Sequence, residues 1–203
     1  ASDVLETPTD QITFNSDTGL FKGTGDQTLT LADIARLLGE TEDSLEVSAQ
    51  TNPKDPTNCF AVNICDLEID AGTGKTNITR YTAIQDAGTA IHPSFVEGQI
   101  QGGAAQGIGW ALNEEYIFDA EGKMKNTSFL DYRMPTAFDL PMIDAILVEV
   151  PNPLHPVGVR GVAETPIVPP LGTVANAIHN ATNHRFYNHP INPQKILTAL
   201  TNA

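Results

Sequence analysis

From Pro93 to Leu112 there is no second proline, yet the stretch Glu97–Gly109 holds five glycines. A proline in the first turn is pre-organised for a helix, so the segment is predicted to be one. Each glycine costs close to ~1 kcal/mol of helix stability relative to alanine. Something must require so smooth a surface. One account is direct packing against a neighbouring element. The other is close approach of the backbone to a bulky cofactor, with Gln99, Gln101 and Gln106 supplying neutral donors and acceptors. A dinucleotide fingerprint does not fit, because a strand should run into the glycines and here the helix has already begun.

The second constraint is Gly158–Pro166, where Glu164 is the single acid in a run of Gly, Val and Ala that continues into Pro166–Pro170. Carboxylates are seldom buried without a partner, and a poorly solvated one is raised toward the range where it works as a base near neutral pH. Glu164 is therefore either a general base or one half of an ordinary ion pair with Arg160. These nine residues do not decide between the two.

The rest of the chain supplies strands and helices in an α+β arrangement of mixed sheets with packed helices. Residues 1–28 are turn-rich and predict a hairpin or two edge strands. Apolar positions 31, 34, 35 and 38 predict a short helix capped by Thr30 and stopped at Gly39. Residues 40–57, acidic and then proline-rich, read as a surface connection, which divides the chain into 1–56 and 57–203. Alternation from Cys59 to Ile69 and again from Asn77 to Ile84 predicts two strands joined at Asp70–Lys75. That turn lacks the upstream glycine of a P-loop and is followed by a strand, not a helix. Further strands are expected at Glu114–Phe118, 123–130 and Ile143–Val150. Helices are expected around 172–181, just beyond Glu164, and from Pro193 to Leu200.

With 11 Lys+Arg against 25 Asp+Glu the formal charge is −14, which disfavours nucleic acid and anionic membrane surfaces as partners. No apolar run of membrane-spanning length and no leader pattern occurs, which sets the expectation of a cytoplasmic protein. Cys59 and Cys65, in one predicted strand, would stand about 20 Å apart and cannot bridge each other. Histidines 92, 155, 179, 184 and 189 do not fall at ligand spacings, so no protein-held metal is expected. No Gly-x-Ser-x-Gly motif or helix-start cysteine marks a nucleophile.

Taken together, Glu97–Gly109 and Gly158–Glu164 resemble the xanthine dehydrogenase and aldehyde oxidase group of molybdenum hydroxylases. The resemblance runs on through Asn113–Glu115, Phe129–Thr136, Val150–Pro156 and Pro166–Pro170. It covers residues 57–201, with 1–56 matching more loosely. It implies the C-terminal part of a molybdopterin-binding large subunit, with Glu164 at the position of the catalytic base. Gln106, with Gly102, Gly103, Gly161, Val162 and Ala163, is implied at the molybdopterin, in its plain or cytosine dinucleotide form. In that family the base acts on a molybdenum-bound hydroxide, and the oxygen, drawn from water, is added to an aldehyde or N-heteroaromatic compound. Arg160 is then structural or substrate-facing, since a close ion pair would weaken the base.

Two departures stand out. The family usually has glycine where this sequence has Ala163. Its upstream glycine-rich segments, its iron-sulfur cysteines and its flavin domain have no counterpart here. The resemblance thus implies a chain inactive alone, a split subunit or fragment completed by the remaining molybdopterin-binding polypeptide and by iron-sulfur and FAD-bearing subunits. A non-catalytic binding or assembly module that has kept the fold is the competing expectation.

Overall fold

The computed structural model describes residues 1–38, 48–50 and 57–202. The chain divides into two compact units, Ala1–Lys54 and Asp55–Ala203. In the first, β1 (Thr13–Asn15), β2 (Leu20–Lys22) and β3 (Thr28–Thr30) form an antiparallel sheet in that order. This is one strand more than a hairpin. The β1–β2 turn is closed by Asn15, whose Oδ1 accepts from the amides of Asp17 and Thr18 at 2.9 and 3.0 Å. Helix α1 (Leu31–Leu38) follows at once. Thr30 caps it as the sequence predicts, because Asp33 N donates to Thr30 Oγ1 at 3.0 Å while Thr30 N donates to Asp33 Oδ2 at 3.0 Å. The Thr30 bonds also hold the Asp33 carboxyl below its usual range. Gly39 and most of the predicted connection lie outside the described residues.

The second unit is a three-stranded sheet, β4 (Ala61–Ile69), β5 (Thr76–Asp86) and β6 (Ile143–Val148), in the order β4-β5-β6. β4 and β5 are an antiparallel hairpin, and β6 runs parallel to β5. A parallel neighbour needs a crossover, and helix α2 (Pro93–Leu112) provides it. The hairpin turn is organised by Asp70. Its Oδ1 accepts from Gly72 N and Thr73 N at 2.8 and 2.9 Å, and its carbonyl from Gly74 N at 2.7 Å. Those amides are thereby occupied, and Gly74 takes φ +74° to make the bend.

β4 alternates, turning Asn63, Cys65, Leu67 and Ile69 inward and Val62, Ile64, Asp66 and Glu68 outward. The inner face packs on α2 and on α3 (Pro169–Thr182), with Tyr81, Ile100, Ala104, Val174 and Ile178 fully buried between them. Helix α4 (Pro193–Thr201) closes this core through Ile196, and Asn192 caps it by accepting from Lys195 N at 3.0 Å.

Three expectations are corrected. Cys59 lies before β4 rather than within it. The strands expected at 114–118 and 123–130 reduce to a single bridge, Phe118 to Met124. The reason is Asn126, whose side chain takes the place of a ladder by accepting from Ile117 N at 2.9 Å and donating to the carbonyl of Glu115. β6 stops at Val148 rather than Val150, because the Val150 amide turns to Asp86 Oδ1 at 3.2 Å.

Candidate functional site

The segment carrying Glu164 is fixed at both ends. Upstream, Gly158 adopts φ +75°, and its carbonyl accepts from Thr89 N and Asn152 N, both at 2.9 Å. A side chain at Gly158 would also run into Thr89 and Pro151. Arg160 comes next. Its Nε lies 3.2 Å from Asp86 Oδ2, with each side chain only 10% exposed, and it donates to the carbonyls of Val150 and Asn58 at 3.0 and 2.8 Å. The ion pair weighed between Arg160 and Glu164 is therefore absent. Asp86 is the guanidinium's partner, and Arg160 is structural.

Gly161 and Val162 follow, and Gln85 binds both. Its Nε2 donates to the two carbonyls at 3.3 Å each, while Cys59 Sγ donates to Gly161 O at 3.3 Å. Ala163 and Glu164 then emerge at the surface, and Glu164 opens a 3-10 turn, Thr165–Ile167, that leads into α3. The Glu164 carboxylate has neither hydrogen bond nor ion pair among the described residues. It lines a cleft of about 500 Å³ with Cys59, Phe60, Ala61, Val168 and Pro169. No cation is among these, and the carboxylate is exposed, so the poor solvation that its apolar neighbours suggest is not found among the described residues.

Downstream the segment rests on α2, where two kinds of glycine can be told apart. A Cβ at Gly103 would come within 2.7 Å of Pro166, and one at Gly107 within 2.7 Å of Ile167 O and Pro170. These glycines exist for packing: they let the backbone after Glu164 lie directly on the helix. Gly98 and Gly102 differ, since a Cβ at either would meet nothing within 4 Å. At four-residue spacing they share an exposed face with Gln106. The Gln106 amide has no partner among the described residues. It lines a second cleft, of about 610 Å³, with Trp110, Glu114, Tyr116 and Tyr132.

Of the other glutamines, Gln101 is committed to the start of β6, donating to Ile143 O at 3.1 Å. Gln99 shares a small apolar cleft with His92, Phe95 and Val162. The structure thus brings Gly103, Gly161, Val162, Ala163 and Glu164 onto one clamped segment and its supporting helix. Gly102 and Gln106 stand on the helix's open face, and Gln106 and Glu164 line separate clefts. Sequence reasoning missed Gln85 and Asp86, the two residues that hold the segment from β5. Among the described residues no three His, Cys, Asp or Glu gather to hold a metal, and no described helix is long and apolar enough to cross a membrane.

Open glycines and an unpartnered amide line one face of α2, and an unpaired carboxylate stands in a separate cleft. Comparison with known proteins gives the class, a molybdopterin-binding domain. Residues 1–141 match the family model of the molybdopterin cofactor-binding domain, and the chain belongs to the molybdenum hydroxylases that carry it. It is 33% identical over 194 residues to the carbon monoxide dehydrogenase large chain of Hydrogenophaga pseudoflava, covering 93% of this chain and 24% of that one. To a putative xanthine dehydrogenase molybdenum-binding subunit of Escherichia coli it is 36% identical over 154 residues, 74% of this chain and 20% of that one. The structure of quinoline 2-oxidoreductase from Pseudomonas putida superposes with a TM-score of 0.84 at 31% identity, over 99% of this chain and 27% of that one. The chain spans about a quarter of the length of these relatives, and the likeness extends through its first 56 residues as well.

Proposed function

We propose that this chain supplies the general base and part of the pterin pocket of a molybdenum hydroxylase acting on an aldehyde or N-heteroaromatic compound, with the added oxygen taken from water. The observation that carries the reading is the unpaired carboxylate of Glu164, exposed in its cleft while the neighbouring Arg160 is spent on Asp86. When bound, the molybdenum-pterin group supplies the two-electron acceptor and the place where water is activated. Glu164 takes the proton from the attacking oxygen, a role worth about 10²- to 10⁴-fold in rate. Gly102 and Gln106 offer the pterin a smooth face and a neutral amide. Gly161, Val162 and Ala163 would present backbone to the molybdenum-pterin group, and Gly103 serves by seating Pro166 against α2. The remaining molybdopterin-binding polypeptide, whether a separate subunit or the rest of a longer chain, completes the pocket, and the chain works as part of a complex. Iron-sulfur and FAD subunits carry the electrons away, in the cytoplasm, and the pterin is in its plain or its cytosine dinucleotide form.

The separation of the Gln106 and Glu164 clefts also favours a second reading, a module that keeps the fold and its contacts without the chemistry. Purifying the native complex separates the two. Molybdenum and pterin in stoichiometric amount, and product oxygen labelled from heavy-oxygen water, are the outcome of the catalytic reading. A stable complex with neither would establish the module.

A further inference from the structure

We infer that Gln85 is a positioning residue for Glu164, setting the two peptide planes that deliver the carboxylate to its cleft. The inference rests on the reading of Glu164 as the base. Gln85 sits near the end of the central strand β5 and is 1% exposed. Its Nε2 reaches the carbonyls of Gly161 and Val162, at 3.3 Å each, so one amide fixes two successive peptide groups immediately before Ala163 and Glu164. Cys59 adds a second donor to Gly161 O.

Packing alone does not explain an amide here. Gln85 Oε1 is buried with no hydrogen-bond partner, a costly state for a polar atom that a methionine of similar length would avoid. What the amide adds is the donor end, aimed at the Glu164 segment. Beyond Glu164, Pro166 and Pro170 rest on Gly103 and Gly107 of α2. Gln85 is therefore the upstream half of a clamp whose downstream half is the smooth helix. The base stands at the surface between the two halves.

The test uses the assembled enzyme with Gln85→Met, which keeps length and removes the donors, and Gln85→Asn, which keeps the amide and withdraws its reach. For both, kcat should fall about 10-fold, the worth of one to two hydrogen bonds, with KM and molybdenum content unchanged. Amide hydrogen exchange at residues 161–165 should quicken by a similar factor while β4 and β5 keep their protection. Unchanged exchange at 161–165 overturns the inference, and so does loss of protection spread through β4 and β5, which would make Gln85 a general core residue. A Glu164→Gln control separates the two claims. If that control turns over like the wild type while the Gln85 variants still loosen 161–165, the clamp stands and the base reading fails.

Discussion

Arg160 Nε and Asp86 Oδ2 meet at 3.2 Å with both side chains largely buried, which commits to Asp86 the cation four residues before Glu164. Asp86 is satisfied on its other oxygen by the amides of Gly88 and Val150 at 2.9 and 3.2 Å. The pair therefore ties the end of β5, the exit of β6 and the Glu164 segment into one joint. A buried pair loses most when only one partner is removed. Asp86→Asn or Arg160→Met should each destabilise by about 3–5 kcal/mol, seen as a lowered apparent Tm of the assembled enzyme. The double variant should lose clearly less than the sum.

The two kinds of glycine in α2 predict opposite responses to alanine. Gly107→Ala drives a methyl into Ile167 O and Pro170 and should cost about 1–3 kcal/mol, as overpacking does. Gly98→Ala meets open space and should stabilise the helix by roughly 0.5–1 kcal/mol. Gly102→Ala, also into open space, should stabilise the helix by a similar amount while lowering the pterin content of the purified complex. Melting curves and pterin assays on the three variants check this.

Much of this architecture is legible in the sequence where the signal is local. Thr30 capping α1, the Asp70 turn, the helix from Pro93 and the helix from Pro193 all rest on residues within a few positions of one another. The segment 113–142 was not legible because one buried side chain, Asn126, substitutes for a strand ladder that the apolar pattern implies. Gln85 and Asp86 were missed for a different reason. Apart from the Gly88 amide on Asp86, their side-chain partners are more than 60 residues away in sequence, and nothing else in their own neighbourhood distinguishes them from the end of a strand. The same limit left the Arg160 partner undecided until the sheet placed Asp86 beside it.

Asn126 carries a prediction of its own. Asn126→Ala leaves Ile117 N and Glu115 O without their side-chain partner, at a cost of about 0.5–1.5 kcal/mol per hydrogen bond, since water can reach both residues. Proteolysis at low enzyme should cut first between 116 and 128 in the variant and not in the wild type.

Cys65 gives a pH dependence. Burial, with a smaller contribution from Asp66, pushes its thiol from 9.0 up to about 12. Since the folded value exceeds the unfolded one, its contribution to stability is complete below pH 9 and is lost as pH rises toward about 12. Cys65→Ala should flatten that alkaline limb of the stability profile. In the native enzyme at pH 8 Cys65 should resist maleimide until the protein is unfolded.

The central claim is tested most directly by the turnover of Glu164→Gln in the assembled enzyme, compared with wild type at equal molybdenum and pterin occupancy. The account predicts that kcat falls by about 10²- to 10⁴-fold with cofactor content unchanged. Turnover at the wild-type rate with full cofactor would contradict it.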